Sequence, residues 1–172
     1  RSGEVSRYLV NRGLPSTTVL SLYDDGAALW VGTTAGVVRQ QGTSFVPVRS
    51  SYGEVLNRVF AMAGDQRGLA WVVDANGGLF EHKSNRFVGV EIPAVTEKRD
   101  ISQIYLDSEG ALWIGHSSGG THRITQGQVS HFAHRDGIAT GRVQGIAELP
   151  RGTIWVATTE GLSRFQQGNW TT

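Results

Sequence analysis

The chain has 172 residues, 39% of them hydrophobic, with 23 Gly and 4 Pro; this is a turn-rich globular composition and excludes a disordered or collagen-like chain. Its 16 basic and 15 acidic residues are intermixed and leave a net charge of +1, so no charged run marks a nucleic-acid or membrane surface. The absence of Cys excludes disulfides, thiolate zinc sites and a Cys nucleophile, and no apolar run is long enough to span a bilayer. No signal peptide is visible. A start at Arg1 instead of Met fits an excised piece, with any targeting or membrane segment left outside it.

Residues 1–18 read as the tail of a repeating unit. Gly3–Leu14 aligns without a gap to Gly127–Ile138, and both copies then reach a Val, Val19 and Val143. The N-terminus therefore falls inside a unit, as expected for a fragment of a larger array.

From Val19 onward each unit reads as four short strands. The first is Val19–Tyr23, Val59–Ala63, Ile101–Tyr105 or Val143–Ala147, rich in β-branched and aromatic residues. A turn follows in which Asp bonds its own backbone and Gly takes positive φ: Asp24-Asp25-Gly26, Asp65–Gly68 and Asp107–Gly110. The last copy, Leu149–Gly152, keeps only the Gly. The second strand carries Trp30, Trp71, Trp113 or Trp155, at steps of 41, 42 and 42 residues. A Gly stands six residues after each Trp (Gly36, Gly77, Gly119, Gly161), where a turn needs φ > 0. The third strand is Val37–Arg39, Leu79–Glu81, Thr121–Ile124 or Leu162–Phe165. After a polar turn, the fourth is Ser44–Val48, Arg86–Val90, Val129–Ala133 or the truncated Asn169–Thr172.

Four strands in a unit of about forty residues is the pattern of a β-propeller blade. The expected fold is all-β: about four blades of four antiparallel strands in one propeller segment, residues 1–172. Its repeats run approximately 1–18 (partial), 19–58, 59–100, 101–142 and 143–172 (truncated). Helical repeats of this period need longer amphipathic stretches. Only Glu54–Phe60 has helical character, and it reads as an inter-blade link. Gly3–Val10 and Gly168–Thr172 both read as fourth strands competing for one place. Open strand edges promote association. The chain is therefore expected to self-associate through blade edges, or to complete a ring with a second copy.

Gly13–Gly26, followed by Leu29–Gly36, resembles the two-component regulator propeller repeat. The third and fourth units match more loosely. The second departs most, with Val73 where the first has Gly32 and no Gly-Leu-Pro stretch before it. The resemblance covers essentially the whole chain. It implies the extracytoplasmic, periplasmic sensor region of a membrane signalling protein, chiefly a hybrid histidine kinase and in some cases a diguanylate cyclase. In that family such repeats build one or two seven-bladed propellers.

The repeated Trp residues invite a sugar-stacking reading, but a Trp at one place in every blade is first a packing residue between blades. Trp170 lies outside that register, at the edge. Among the five His, only His131 and His134 are close in sequence, and residues three apart on a strand face opposite sides. No metal site follows, and no cofactor is expected. Asp24, Asp25, Asp65 and Asp107 have turn roles and belong to separate hairpins, which argues against calcium. No nucleophile stands beside a base, so the chain is read as non-catalytic.

Propellers bind where inter-blade links and second-to-third-strand turns open to solvent. The variable polar residues there are Asn57, Arg58, Asp74, Asn76, Asp100, His116, Arg142 and Glu160. His116 replaces the Thr33 and Thr158 of its sister units, which reads as drift in an exposed loop or as part of a site. Arg58 and Arg142 are placed to hold an anionic sugar. The expected function is ligand sensing, with a small molecule or oligosaccharide as partner and neither nucleic acid nor membrane contacted by this segment. The alternatives are a propeller lyase or hydrolase acting on polysaccharide, and a protein-binding scaffold.

Overall fold

The computed structural model describes residues 7–65, 67–68, 70–92 and 100–172. They form four antiparallel sheets of four strands, each in simple sequence order. The first blade is β1 (Val19–Asp24), β2 (Leu29–Thr33), β3 (Gly36–Gln41) and β4 (Ser44–Val48). The second is β5 (Ala61–Gly64), β6 (Ala70–Val73), β7 (Leu79–Lys83) and β8 (Arg86–Val90). The third is β9 (Ile101–Leu106), β10 (Leu112–His116), β11 (Thr121–Thr125) and β12 (Gln128–Phe132). The fourth is β13 (Val143–Glu148), β14 (Thr153–Thr158), β15 (Leu162–Gln166) and β16 (Asn169–Thr171). The inner strands pack in succession, β1 on β5, β5 on β9 and β9 on β13.

Each hairpin forms where its turn chemistry requires. Gly26, Gly68, Gly110 and Gly152 all have positive φ after the first strands. Of the Gly residues six after each Trp, Gly36, Gly77 and Gly119 adopt positive φ, whereas Gly161 is not in that region. Val59 and Phe60 do not join β5 as expected. The Val59 amide donates to Thr33 O of the first blade at 3.1 Å instead of to its own sheet. Glu54–Phe60 is an irregular link without helix.

The N-terminal segment departs from its reading as a fourth strand. Gly3–Ser6 lie outside the described residues, Arg7–Leu9 are not strand, and Val10–Arg12 form a 3-10 turn. His134–Asp136 forms the same turn, which preserves the alignment of the two segments. Gly13 and Gly137 end these turns against Phe45 and Trp170 on outer strands. The link at Arg49–Ser51 does the same for β8, exchanging backbone hydrogen bonds with Phe87. In blades one, two and four the incoming link thus shields the outer strand, whose edge would otherwise offer unpaired backbone groups.

The core lies between blades. Trp30 is buried with Val59, Ala70, Val72 and Phe87 of the second blade. Trp113 is buried with Val143, Ile154, Val156 and Phe165 of the fourth. Trp71 packs on the Ile101, Ile104, Leu112 and Ile114 cluster of the third. Trp155 occupies the outward face of the fourth blade and is half-buried. Trp170 packs on Trp113 and Phe165, with ring centroids 6.1 and 5.1 Å away.

Two of the three seams share an additional set of contacts. Asp25 Oδ2 accepts from Trp30 Nε1 at 2.8 Å, while Oδ1 accepts from the Ala27 and Ala28 amides. Asp107 repeats this, with Trp113 Nε1 at 2.8 Å and the Glu109 and Ala111 amides. Arg39 and Arg123 lie over the paired Trp rings at 5.4 and 5.5 Å. Tyr23 donates to Asp65 O at 2.9 Å, and Tyr105 stands at the equivalent place opposite Trp113. Burial, with Asp65, Asp25 and Asp24 nearby, pushes the Tyr23 phenol up to about 12. A Cβ on Gly32 would sit 2.5 Å from Val59 O, and one on Gly115 2.4 Å from Val143 Cγ1, so both positions need Gly for the next blade to approach. The seam between blades two and three has Ala63, Val73 and Glu81 at the Tyr, Gly and Arg positions.

Asp25 thus holds a turn and an indole together. Burial alone would raise its carboxyl, but the Trp30, Ala27 and Ala28 N–H groups and Arg39 outweigh burial and hold it below its ordinary value. Asp25→Ala is expected to destabilise the chain by about 2–4 kcal/mol, because it orphans a buried indole N–H and two amides. Asp24→Ala, on the exposed neighbour, should cost less than about 0.5 kcal/mol. Denaturant unfolding of the two variants measures the difference.

Candidate functional site

Each link residue that leads into a first strand is stapled to the second-to-third-strand turn of its own blade. Thr34 N donates to Thr18 O, Ala75 N to Asn57 O, Ser117 N to Asp100 O and Thr159 N to Arg142 O, at 2.7–3.1 Å. The sequence-predicted residues therefore come together blade by blade at one end of the array: Asn57 and Arg58 by Asp74 and Asn76, Asp100 by His116, and Arg142 by Glu160. Links also lie between successive turns. Val55 closes on Gly36, and Gly141 lies between Gly119 and Glu160.

Within that end the residues divide in two. Asn57, Arg58, Asn76, Arg142 and Glu160 are exposed, and Thr140 Oγ1 donates to Glu160 Oε2 at 2.5 Å. Arg58 has a φ of 49°, a strained value for a side chain of its size. Neither Arg58 nor Arg142 makes an ion pair among the described residues. Asp74 and His116 do not face solvent as expected, each being 5% exposed. Asp74 Oδ1 is consumed by the Asn76 and Gly78 amides, 3.0 Å away.

His116 is not a drifted loop residue. It ends β10, and its Nε2 lies 2.7 Å from His122 Nδ1, one nitrogen donating and the other accepting. The His122 ring stacks on that of His131 at 4.5 Å between centroids. Asp100 lies 3.5 Å from His116 Nδ1 and accepts from the Ser118 amide and hydroxyl. Spacing along one strand missed this group because it forms across strands. His122 lies directly opposite His131 on β11 and β12. The two-residue turn at Gln126-Gly127 carried that signal, since it fixes the hairpin register. His134 lies apart, with Nδ1 3.1 Å from Ile138 O. Among the described residues no group of three or more His, Asp or Glu could hold a metal ion. Burial lowers the His116 imidazole against the pull of Asp100. Burial, then His116 and His131, pushes His122 down to about 4.

Comparison with solved structures places this architecture. The extracellular domain of BT3049 from B. thetaiotaomicron, assigned as a hybrid two-component system, superposes on 86% of the chain with a TM-score of 0.69 and 23% identity. That of BT4673 from the same organism matches 92% of the chain with a TM-score of 0.71 and 18% identity. Virginiamycin B lyase from Staphylococcus aureus matches 92% with a TM-score of 0.71 and 19% identity. The fold is a β-propeller segment. It spans 21% of the length of either B. thetaiotaomicron domain and 56% of the lyase. No family model and no curated protein matches the sequence.

The histidine group predicts a pH dependence. His122 takes up a proton near 4 in the fold and near 6.5 when unfolded, so the unfolded chain binds the proton first as pH falls. Stability from this group is full above 6.5 and lost as pH drops from 6.5 towards 4. His122→Gln is expected to flatten the fall of Tm across that range. Equal slopes in wild type and His122→Gln would contradict the assignment.

Proposed function

We propose that the chain is part of the extracytoplasmic sensing region of a two-component-type membrane receptor. In this reading it binds a small molecule or oligosaccharide at the turn-and-link end without transforming it. The carrying observation is the repeated stapling of link to turn. It sets Asn57, Arg58, Asn76, Arg142 and Glu160, residues that differ from unit to unit, along one solvent-facing end. The likeness to extracellular domains of two-component systems supports a sensing role. Two exposed guanidinium groups that make no ion pair among the described residues favour an anionic ligand, since Arg pairs carboxylate bidentately. Signalling then follows from a change in how blades pack, because a ligand shifts only states it binds differently.

The likeness to a lyase favours a second reading, catalysis at the same end. There, among the described residues, the imidazole close to a carboxylate is that of His116, and its burial keeps it from a substrate. Self-association is the partner reading that accompanies the fold: the outward face of the fourth blade presents Trp155 and the 54% exposed Leu162. A monomeric mass over a wide concentration range would count against it.

Titration calorimetry against a panel of uronate-containing oligosaccharides tests the sensing reading. A bound member should lose at least about tenfold in affinity in the Arg58→Ala/Arg142→Ala variant. Unchanged affinity would remove the site from this end, and turnover of the ligand would favour the lyase reading.

A further inference from the structure

One position breaks a pattern kept by the other three blades. The residue directly opposite each Trp on the third strand is Arg39, Arg123 or Arg164. Those guanidinium groups lie over Trp30, Trp113 and Trp155 at 5.4, 5.5 and 6.0 Å. A cation over an indole face is held by the ring's quadrupole. In the second blade the residue opposite Trp71 is Glu81. Among the described residues no guanidinium covers Trp71. Its buried Nε1–H also lacks the hydrogen bond that Asp25 and Asp107 give the sister rings.

A cleft of about 350 Å³ opens at this place, between blades two and three. Trp71 and Glu81 form one side, and Leu106, Leu112 and Ile124 form the opposite apolar wall. Gln126 and Gly127 stand at its rim, so it lies at the far end of the blades from the turn-and-link surface. The Glu81 side chain is 17% exposed, and its ion-pair partner Lys83, 2.6 Å away, is 60% exposed. A pair with so exposed a lysine is weak and readily exchanged.

We propose that this cleft binds a small organic cation, a guanidinium on an apolar stem. The guanidinium takes the place over Trp71 that Arg39 and Arg123 take over their own rings, and it pairs with Glu81 in exchange for Lys83. The apolar stem lies against Leu106, Leu112 and Ile124. A guanidinium suits the place better than an ammonium because it is planar, stacks on an aromatic face and pairs a carboxylate through two N–H groups. The inference is independent of the sensing surface, and Arg58→Ala/Arg142→Ala should leave it untouched.

Calorimetry with phenethylguanidine on the intact protein tests it, with phenethylurea as the neutral probe of the same shape. The guanidine is expected to bind at least about tenfold more tightly than the urea, and Glu81→Gln should remove that preference. Glu81→Arg supplies the guanidinium of the sister blades and should abolish binding while leaving the fold intact by circular dichroism. Equal affinity for the two probes overturns the proposal, as does undiminished binding by Glu81→Arg. Absence of binding by the wild-type protein at concentrations of about 10 mM also overturns it, since a stacked and paired guanidinium is held more tightly than that.

Discussion

The structure depends on one contact, a Trp on the back of a blade set against the front of the next. A four-stranded sheet has two faces and no core of its own, so it becomes stable only when neighbours cover them. Trp30, Trp71 and Trp113 each reach into the following blade, and the apolar clusters form around them. The step of 41 or 42 residues is the length of chain needed to return to that contact. Asp25 and Asp107 tie the indole to the first turn, and Arg39 and Arg123 close over it. These groups are fixed by packing, which leaves the turn-and-link end to vary without loss of the fold. Binding residues are commonly carried on loops held by such a scaffold.

The seams are unequal, and the inequality organises the molecule. Blades one and two, and blades three and four, meet through Gly32 and Gly115, which let Val59 and Val143 approach closely. Ser21 and Ser102 add bonds to Val59 O and Val143 O across these two seams. The middle seam has Val73 in place of the Gly, Ala63 in place of the Tyr and Glu81 in place of the Arg. It keeps a well-packed apolar cluster near the inner strands. Its outer part opens into a cleft of about 350 Å³ beside Trp71, as the seam of blades three and four opens into one of about 420 Å³ beside Trp113, but here Glu81 and not an Arg stands opposite the Trp. The segment therefore reads as two locked pairs joined by a seam that is packed through its apolar cluster but lacks the polar lock around its Trp.

The fold was legible because strand period, turn chemistry and the Trp step agree with one another. First and second strands were placed within a residue or two, apart from Val59 and Phe60, which lie outside β5; the Val59 amide gives its hydrogen bond to the preceding blade, whereas that of Phe60 goes to Val73 O of its own blade. The departure of the second unit was visible in Val73, but its meaning was not, since that requires knowing which residue of the next blade lies opposite. Arg58 and Arg142 could be assigned to one end from repeat position alone. Asp74 and His116 could not be recognised as buried, because their exposure is set by the links that fold over the turns. The group of His116, His122 and His131 was hidden for another reason. It joins three strands, and spacing along a single strand carries no information about residues opposite it.

The account stands on the difference between the seams, and exchange of the indole N–H protons, resolved by 15N NMR, tests it most directly. Trp30 and Trp113 should exchange most slowly, each being buried and bonded to a carboxylate, while half-buried Trp71, whose Nε1–H is covered but lacks that bond, should exchange measurably faster. Protection of Trp71 equal to that of Trp30 and Trp113 would contradict the division of the segment into two locked pairs.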